Sequence, residues 1–161
     1  MRNKGGFTLI EILVVLFIIS ITLSFALLAF GDFGASRRII VAAEQFSAYL
    51  KLVQQQAIIE GKNLGVDINK QGYKTYRLEQ GNTWQAMPEK SIFHWQHFPN
   101  NLVIDLESPL KNNTRMPDIM MSPSGNLTVF KLRFGTTDKP GLATLIGKRN
   151  GQLVLLKPQV S

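Results

Sequence analysis

The sequence predicts an α+β protein. One long N-terminal helix, membrane-spanning in its first half and amphipathic in its second, is expected to pack on an antiparallel β-sheet or β-sandwich head. Three observations predict this. No charge occurs between Ile12 and Phe30; apolar residues recur at helical spacing from Arg37 to Glu60; after Gly61 short apolar runs alternate with turn residues. The 161 residues suit one compact domain plus an appendage and exclude a multidomain enzyme. The absence of cysteine removes disulfides, thiolate nucleophiles and Cys-based zinc sites. A net charge of +7 describes a field and names no partner.

The first element is the apolar helix. Its 19 residues from Ile12 to Phe30, at about 1.5 Å each, reach roughly 28 Å, close to the ~30 Å hydrocarbon core of a bilayer. Ser20, Thr22 and Ser24 inside it can return their hydroxyls to the helix backbone. Ahead of it, Met1-Arg2-Asn3-Lys4-Gly5-Gly6 carries two bases and no acid, which keeps the N-terminus cytoplasmic and sends the rest of the chain outward. A cleaved secretory signal is the competing expectation, with Gly34-Ala35-Ser36 as its candidate site. The apolar run is longer than the ~7–15 residues of such signals. Glu11 also argues against it, because an acid moved toward the bilayer centre costs on the order of 2.5–3.5 kcal/mol and needs a partner. The plainer alternative leaves Glu11 unpaired in the headgroup region.

The stretch Gly6-Phe7-Thr8-Leu9-Ile10-Glu11, behind a basic leader and before an uncharged run, resembles the processing motif of type IV pilins and of the pseudopilins of type II secretion systems. The resemblance implies cleavage by a prepilin peptidase between Gly6 and Phe7 and N-methylation of Phe7. Glu11 then becomes the fifth residue of the mature chain. It implies four parts: a leader over 1–6, a transmembrane assembly helix over 7–30, an amphipathic helix over 31–61 and a periplasmic β domain over 62–161. Cleavage would place a positive α-amino group at the buried end of the helix, where an unpaired charge is costly. Glu11 of a neighbouring subunit would neutralise it. Such pairs fix register more than they add stability, since breaking one strands a charge at roughly 3–5 kcal/mol.

Gly31-Asp32-Phe33-Gly34 predicts a kink or flexible joint, because glycine weakens a helix. Beyond it, Ile39, Ala42, Phe46, Tyr49, Val53 and Ala57 form one apolar stripe, while Glu44, Gln45, Ser47, Lys51, Gln54 and Gln55 take other faces. A core role is favoured over a ligand groove for this stripe. Gly61 closes the helix. Strands are expected at 64–68, 73–79, 84–87, 92–98, 102–106, 119–121, 127–134, 142–146 and 153–157. Asn150-Gly151 reads as a type I′ hairpin turn, and 111–115 as an exposed loop.

The run from Met121-Ser122-Pro123-Ser124-Gly125 to Thr128, Phe130 and Leu132 resembles the minor pseudopilins of the H type. A looser likeness joins Ala57–Val66, Gly72-Tyr73 and Trp84 to the same proteins. Pro123 and Gly125 suit a turn, so Ser122 and Ser124 are read as structural.

Chemistry is otherwise sparse, and no catalytic residue, metal or cofactor is expected. His94 and His97 would point to opposite faces of a 92–98 strand, which disfavours a zinc pair. Asp67, Asp105, Glu107, Asp118 and Asp138 form no calcium loop, and no nucleophile elbow or phosphate loop occurs. Lys148 and Arg149 at a hairpin tip, with Lys139 and Lys157, make a weak nucleic-acid patch without interleaved aromatics.

The expected function is that of a single-pass inner-membrane minor pseudopilin of type II secretion with a periplasmic head near the fibre tip. Its partners would be the peptidase, the other minor pseudopilins and the major pseudopilin, with no small-molecule substrate. A minor pilin of a type IV pilus, DNA-binding for uptake, is the alternative.

Overall fold

The computed structural model describes residues 8–111 and 115–158, apart from the side chains of 28–33. Its elements are α1 (Leu9–Glu60), β1 (Leu64–Ile68), β2 (Gly72–Glu79), β3 (Thr83–Ala86), β4 (Gln96–His97), β5 (Val103–Glu107), β6 (Ile119–Met121), β7 (Phe130–Gly135), β8 (Ala143–Gly147) and β9 (Leu153–Leu156). The chain divides into two compact units, Met1–Ala35 and Ser36–Ser161. The first unit contributes the start of α1, and the second holds the rest of the helix and all nine strands. The 52-residue helix is assigned without interruption, so Gly31 and Gly34 do not end it.

Within the second unit the strands form two antiparallel sheets, one in the order β3-β2-β1-β6 with β4 also on β2, the other in the order β5-β7-β8-β9. The core lies where α1 meets both. Phe46 is fully buried, with its ring 4.8 Å from Tyr73 of β2 and 5.9 Å from Phe134 of β7. Each such aromatic pair adds about 0.5–1.5 kcal/mol beyond simple burial. Leu50, Val53 and Ala57 continue the buried row at three- and four-residue steps, as the periodicity predicts. Tyr49 brings a hydroxyl into this core, where Thr75 Oγ1 meets it at 2.6 Å and the Phe93 carbonyl accepts from it at 3.3 Å. Burial pushes its pKa up to about 12, so it stays a neutral hydrogen-bonding phenol.

The strand expectations hold in number and order, with three local corrections. Of the expected 92–98 strand only Gln96–His97 pairs. Before it the chain turns, with His94 N donating to Ser91 O, and the turn drives Phe93 into the core. An apolar run that anchors a turn carries no strand periodicity, so the opposed-face argument for His94 and His97 falls with the strand. The β7 ladder begins at Phe130 rather than Leu127, which makes only an isolated bridge to Met121. The last hairpin is not type I′, because only Gly151 (φ 82°) has positive φ there. Gly151 N donates to Lys148 O at 2.9 Å, and Lys148 N to Gln152 O at 2.9 Å. That is a three-residue loop whose glycine takes the left-handed position of a bulge.

Candidate functional site

The helical segment Leu9–Leu27 has the length and composition to cross a membrane, and none of it is buried by its own chain. Its large side chains range from Ile21 at 41% to Leu9 at 85% exposed. Such a surface needs lipid or other helices to cover it. The hydroxyls behave as expected: Ser20 Oγ donates to Leu16 O at 2.7 Å, Thr22 Oγ1 to Ile19 O at 2.9 Å and Ser24 Oγ to Ser20 O at 2.8 Å. Helix and hydroxyls together leave little unpaired polarity on this surface.

Glu11 stands in the first turn of α1 and is exposed. The carbonyl of Thr8 accepts from Glu11 N at 3.1 Å and from Ile12 N at 3.3 Å, which makes Thr8 the residue that opens the helix. Thr8-Leu9-Ile10-Glu11 therefore has the spacing of a capping box, and a carboxylate at this position also meets the positive end of the helix dipole. The sequence carried this signal, T-x-x-E before an apolar run, and the reading of Glu11 as a partner-seeking acid passed over it. Gly6 and Phe7, the cleavage and methylation positions, lie outside the described residues.

In the head, the Ser122–Asn126 segment is a closed turn. Gly125 N donates to Ser122 O at 2.9 Å, Ser122 N to Asn126 O at 3.0 Å, and the two serine hydroxyls meet at 2.7 Å. Gly125 has φ 83°, so the turn needs its glycine. Both serines are spent on this internal network. Gln54 of α1 holds the turn to the last hairpin: its Nε2 donates to Gly125 O at 2.8 Å and to Gly151 O at 3.2 Å. A Cβ at residue 151 would lie 2.2 Å from both Gln54 Nε2 and Gly125 O, so the contact needs glycine as well. Helical periodicity placed Gln54 off the apolar stripe and gave no sign of this clamp.

Several of the remaining candidates have structural partners. Arg133 of β7 pairs with Asp105 at 2.7 Å and with Glu107, both on β5. His97 Nδ1 accepts from Trp95 Nε1 at 3.1 Å, and His94 lies against Ser91 O. Among the described residues no three His, Asp or Glu side chains converge as metal ligands. Lys148 donates to Gln152 at 3.1 Å, and Lys157 pairs with Glu44 of α1. Of the expected 111–115 loop, residues 112–114 lie outside the described residues.

The family model for the prokaryotic N-terminal methylation motif matches residues 1–27. Type II secretion system protein H of Pseudomonas aeruginosa is 27% identical, over 89% of this chain and 90% of that protein. Protein H of Aeromonas hydrophila is 24% identical, over 98% and 96%. The crystal structure of the minor pseudopilin EpsH from the type II secretion system of Vibrio cholerae superimposes with a TM-score of 0.66 at 21% identity, covering 78% of this chain and 98% of that one. The solution structure of Escherichia coli GspH gives 0.64 at 20% identity, covering 76% and 90%. Two fimbrial proteins of Pseudomonas aeruginosa are 38% identical over 64 residues, 40% of this chain.

Proposed function

We propose that this chain, a minor pseudopilin of the type II secretion H kind with a pilin-like fold, works by assembly: it enters a short periplasmic fibre through its apolar helix and joins the fibre tip to the shaft through its head. A prepilin peptidase cuts between Gly6 and Phe7, and Phe7 is then N-methylated. The N-terminus faces the cytoplasm and the head the periplasm, where the fibre serves the export of folded proteins across the outer membrane. Glu11 meets the α-amino group of a neighbouring subunit's Phe7 and sets the stagger between helices.

The observation that carries this reading is the exposed apolar segment Leu9–Leu27, headed by an acid and continuous in sequence with a folded head. A role as a minor pilin of a type IV pilus is the second reading. Likeness to protein H across nearly the whole chain favours the first, since the fimbrial likeness covers less than half.

Deleting the gene and restoring it on a plasmid separates the two. Loss of protein export with intact pili is expected. Loss of pili or of DNA uptake with normal export would overturn the assignment. Crosslinking from the exposed face of α1 should capture other pseudopilins in the membrane fraction.

A further inference from the structure

The β1·β6 ladder pairs Leu64 with Met121, Gly65 with Met120 and Val66 with Ile119, and stops there. The next opposed positions are Asp67 and Asp118, two like-charged groups directly across the strands. Such an opposition disfavours pairing when both are ionised. Asp118 is nevertheless half-buried and held in place. Its Oδ2 accepts from Ile68 N at 2.9 Å, and its carbonyl accepts from Ser108 Oγ at 2.6 Å. In the continued register of the ladder, Asp67 faces it from β1 on the same side of the sheet. One residue earlier, Pro117 is packed so closely over Gly65 that a Cβ there would sit 2.5 Å from Pro117 Cγ and 3.1 Å from the Trp84 ring. Pro117, Asp67, Tyr76, Trp84, Arg115 and Met116 line one surface groove of about 530 Å³.

We propose that Asp67 and Asp118 form a proton-operated clasp, in which one shared proton ties the Arg115–Asp118 turn to the end of β1 in acid, and its release at neutral pH loosens that tie and reshapes the groove beside Trp84. Two carboxyls on facing positions of one ladder cannot both be ionised without cost, and a single proton placed on the more buried Asp118 relieves it. Burial first, and then Asp67, push the Asp118 carboxyl up to about 6, against the opposing pull of Ile68 N–H and Lys111. Around the pair stand Lys74 of β2, opposite Asp67 and 5.7 Å from the Tyr76 ring, then Tyr76 itself, and Lys111 and Arg115 on the chain leading to β6. Lys111 also reaches Asp105 at 3.9 Å and is therefore shared. β6 itself, Ile119–Met121, offers no charge.

The test uses the full chain in detergent micelles, with Trp95→Phe so that Trp84 reports alone, and with ¹³C-labelled aspartate. The Trp84 emission and the Asp118 carboxyl signal are expected to titrate together with a midpoint near 6. Asp118→Asn keeps an acceptor for Ile68 N and offers Asp67 an amide donor in place of the proton. It should hold the Trp84 signal at its acid value across the range. Asp67→Asn, the second variant, should return the Asp118 midpoint toward the ordinary carboxylate range. An Asp118 midpoint already in that range in the native chain overturns the proposal, as does a Trp84 transition unchanged in both variants.

Discussion

The side-chain amide of Gln54, in the last two turns of α1, donates to the carbonyl oxygen of Gly125 at 2.8 Å, across 71 residues of sequence. The same nitrogen reaches Gly151 O at 3.2 Å. One side chain thus pins two separate glycine turns to the helix. Gln54→Ala should destabilise the head by about 1–3 kcal/mol, because two partly buried carbonyls lose their donor together. Gln54→Glu should be worse, since a carboxylate offers these carbonyls only repulsion. Denaturant midpoints of the variants check both.

What was legible in the sequence divides along physical lines. The apolar run, the buried stripe through Phe46, Val53 and Ala57, and the strands over 64–68 and 119–121 follow from periodicity and from turn residues, which act locally. Gln54 was not legible, because its importance depends on two turns about 70 and 100 residues away that happen to meet beneath it. The shortened β4 has the same origin: Phe93 is apolar because it fills the core from a turn, and a strand would place the same residue type there. Gly65 shows a third case. It is buried on the sheet face away from Leu64 and Val66 because Pro117 and Trp84 cover it, so β1 shows three buried residues in a row where a strand with one covered face alternates.

Glu60 and Arg77 make a two-pronged ion pair, with bonds of 2.6 and 2.7 Å joining the end of α1 to β2. The Arg77 bond holds the Glu60 carboxyl below its ordinary value of 4.5. A depressed carboxylate contributes stability that is present above the unfolded value and is lost as pH falls through the folded one. Glu60→Gln should therefore be less stable than the native chain by about 1–2 kcal/mol at neutral pH. The difference should close in acid, well below 4.5. Thermal unfolding at several pH values reads this directly; a gap that persists in acid would mean packing rather than charge is lost.

The division of contacts at Ala35 and Ser36 gives an expectation about the isolated head. A chain beginning at Ser36 retains Ile39, Ala43, Phe46 and Leu50 for the core and omits the exposed apolar segment. It should be soluble and monomeric, with a cooperative melt. A chain beginning after Glu60 should not fold, because removing Phe46, Leu50 and Val53 exposes both sheets, at about 1.5–3 kcal/mol for each large side chain. Circular dichroism and gel filtration of the two pieces make the comparison.

Processing should depend on the small residue at the cut. Gly6→Leu is expected to leave the leader attached in cells that contain the peptidase, while the chain still reaches the membrane through its unchanged apolar run. Intact-mass analysis distinguishes the uncut chain from one that starts at Phe7. Finding the Phe7 product in normal amount would remove the proposed cleavage position.

Two roles for Glu11 can be told apart, the capping of α1 and the proposed pairing with a neighbour's amine. Its position three residues after Thr8 lets it serve the helix start, and glutamine serves there nearly as well. Pairing with a cation needs the charge. Glu11→Gln should therefore keep the helix and its membrane insertion yet lose recruitment to the fibre, and Glu11→Leu should insert more readily still while failing in the same way. A stranded amine at roughly 3–5 kcal/mol corresponds to a hundredfold or greater loss in the assembly equilibrium. An export assay, run beside crosslinking to the other pseudopilins, gives the readout. If Glu11→Gln secretes and crosslinks normally while Glu11→Leu does not, Glu11 is a helix cap. If both variants behave as the native chain, neither role is needed, and the stagger of the helices must come from the apolar surface alone.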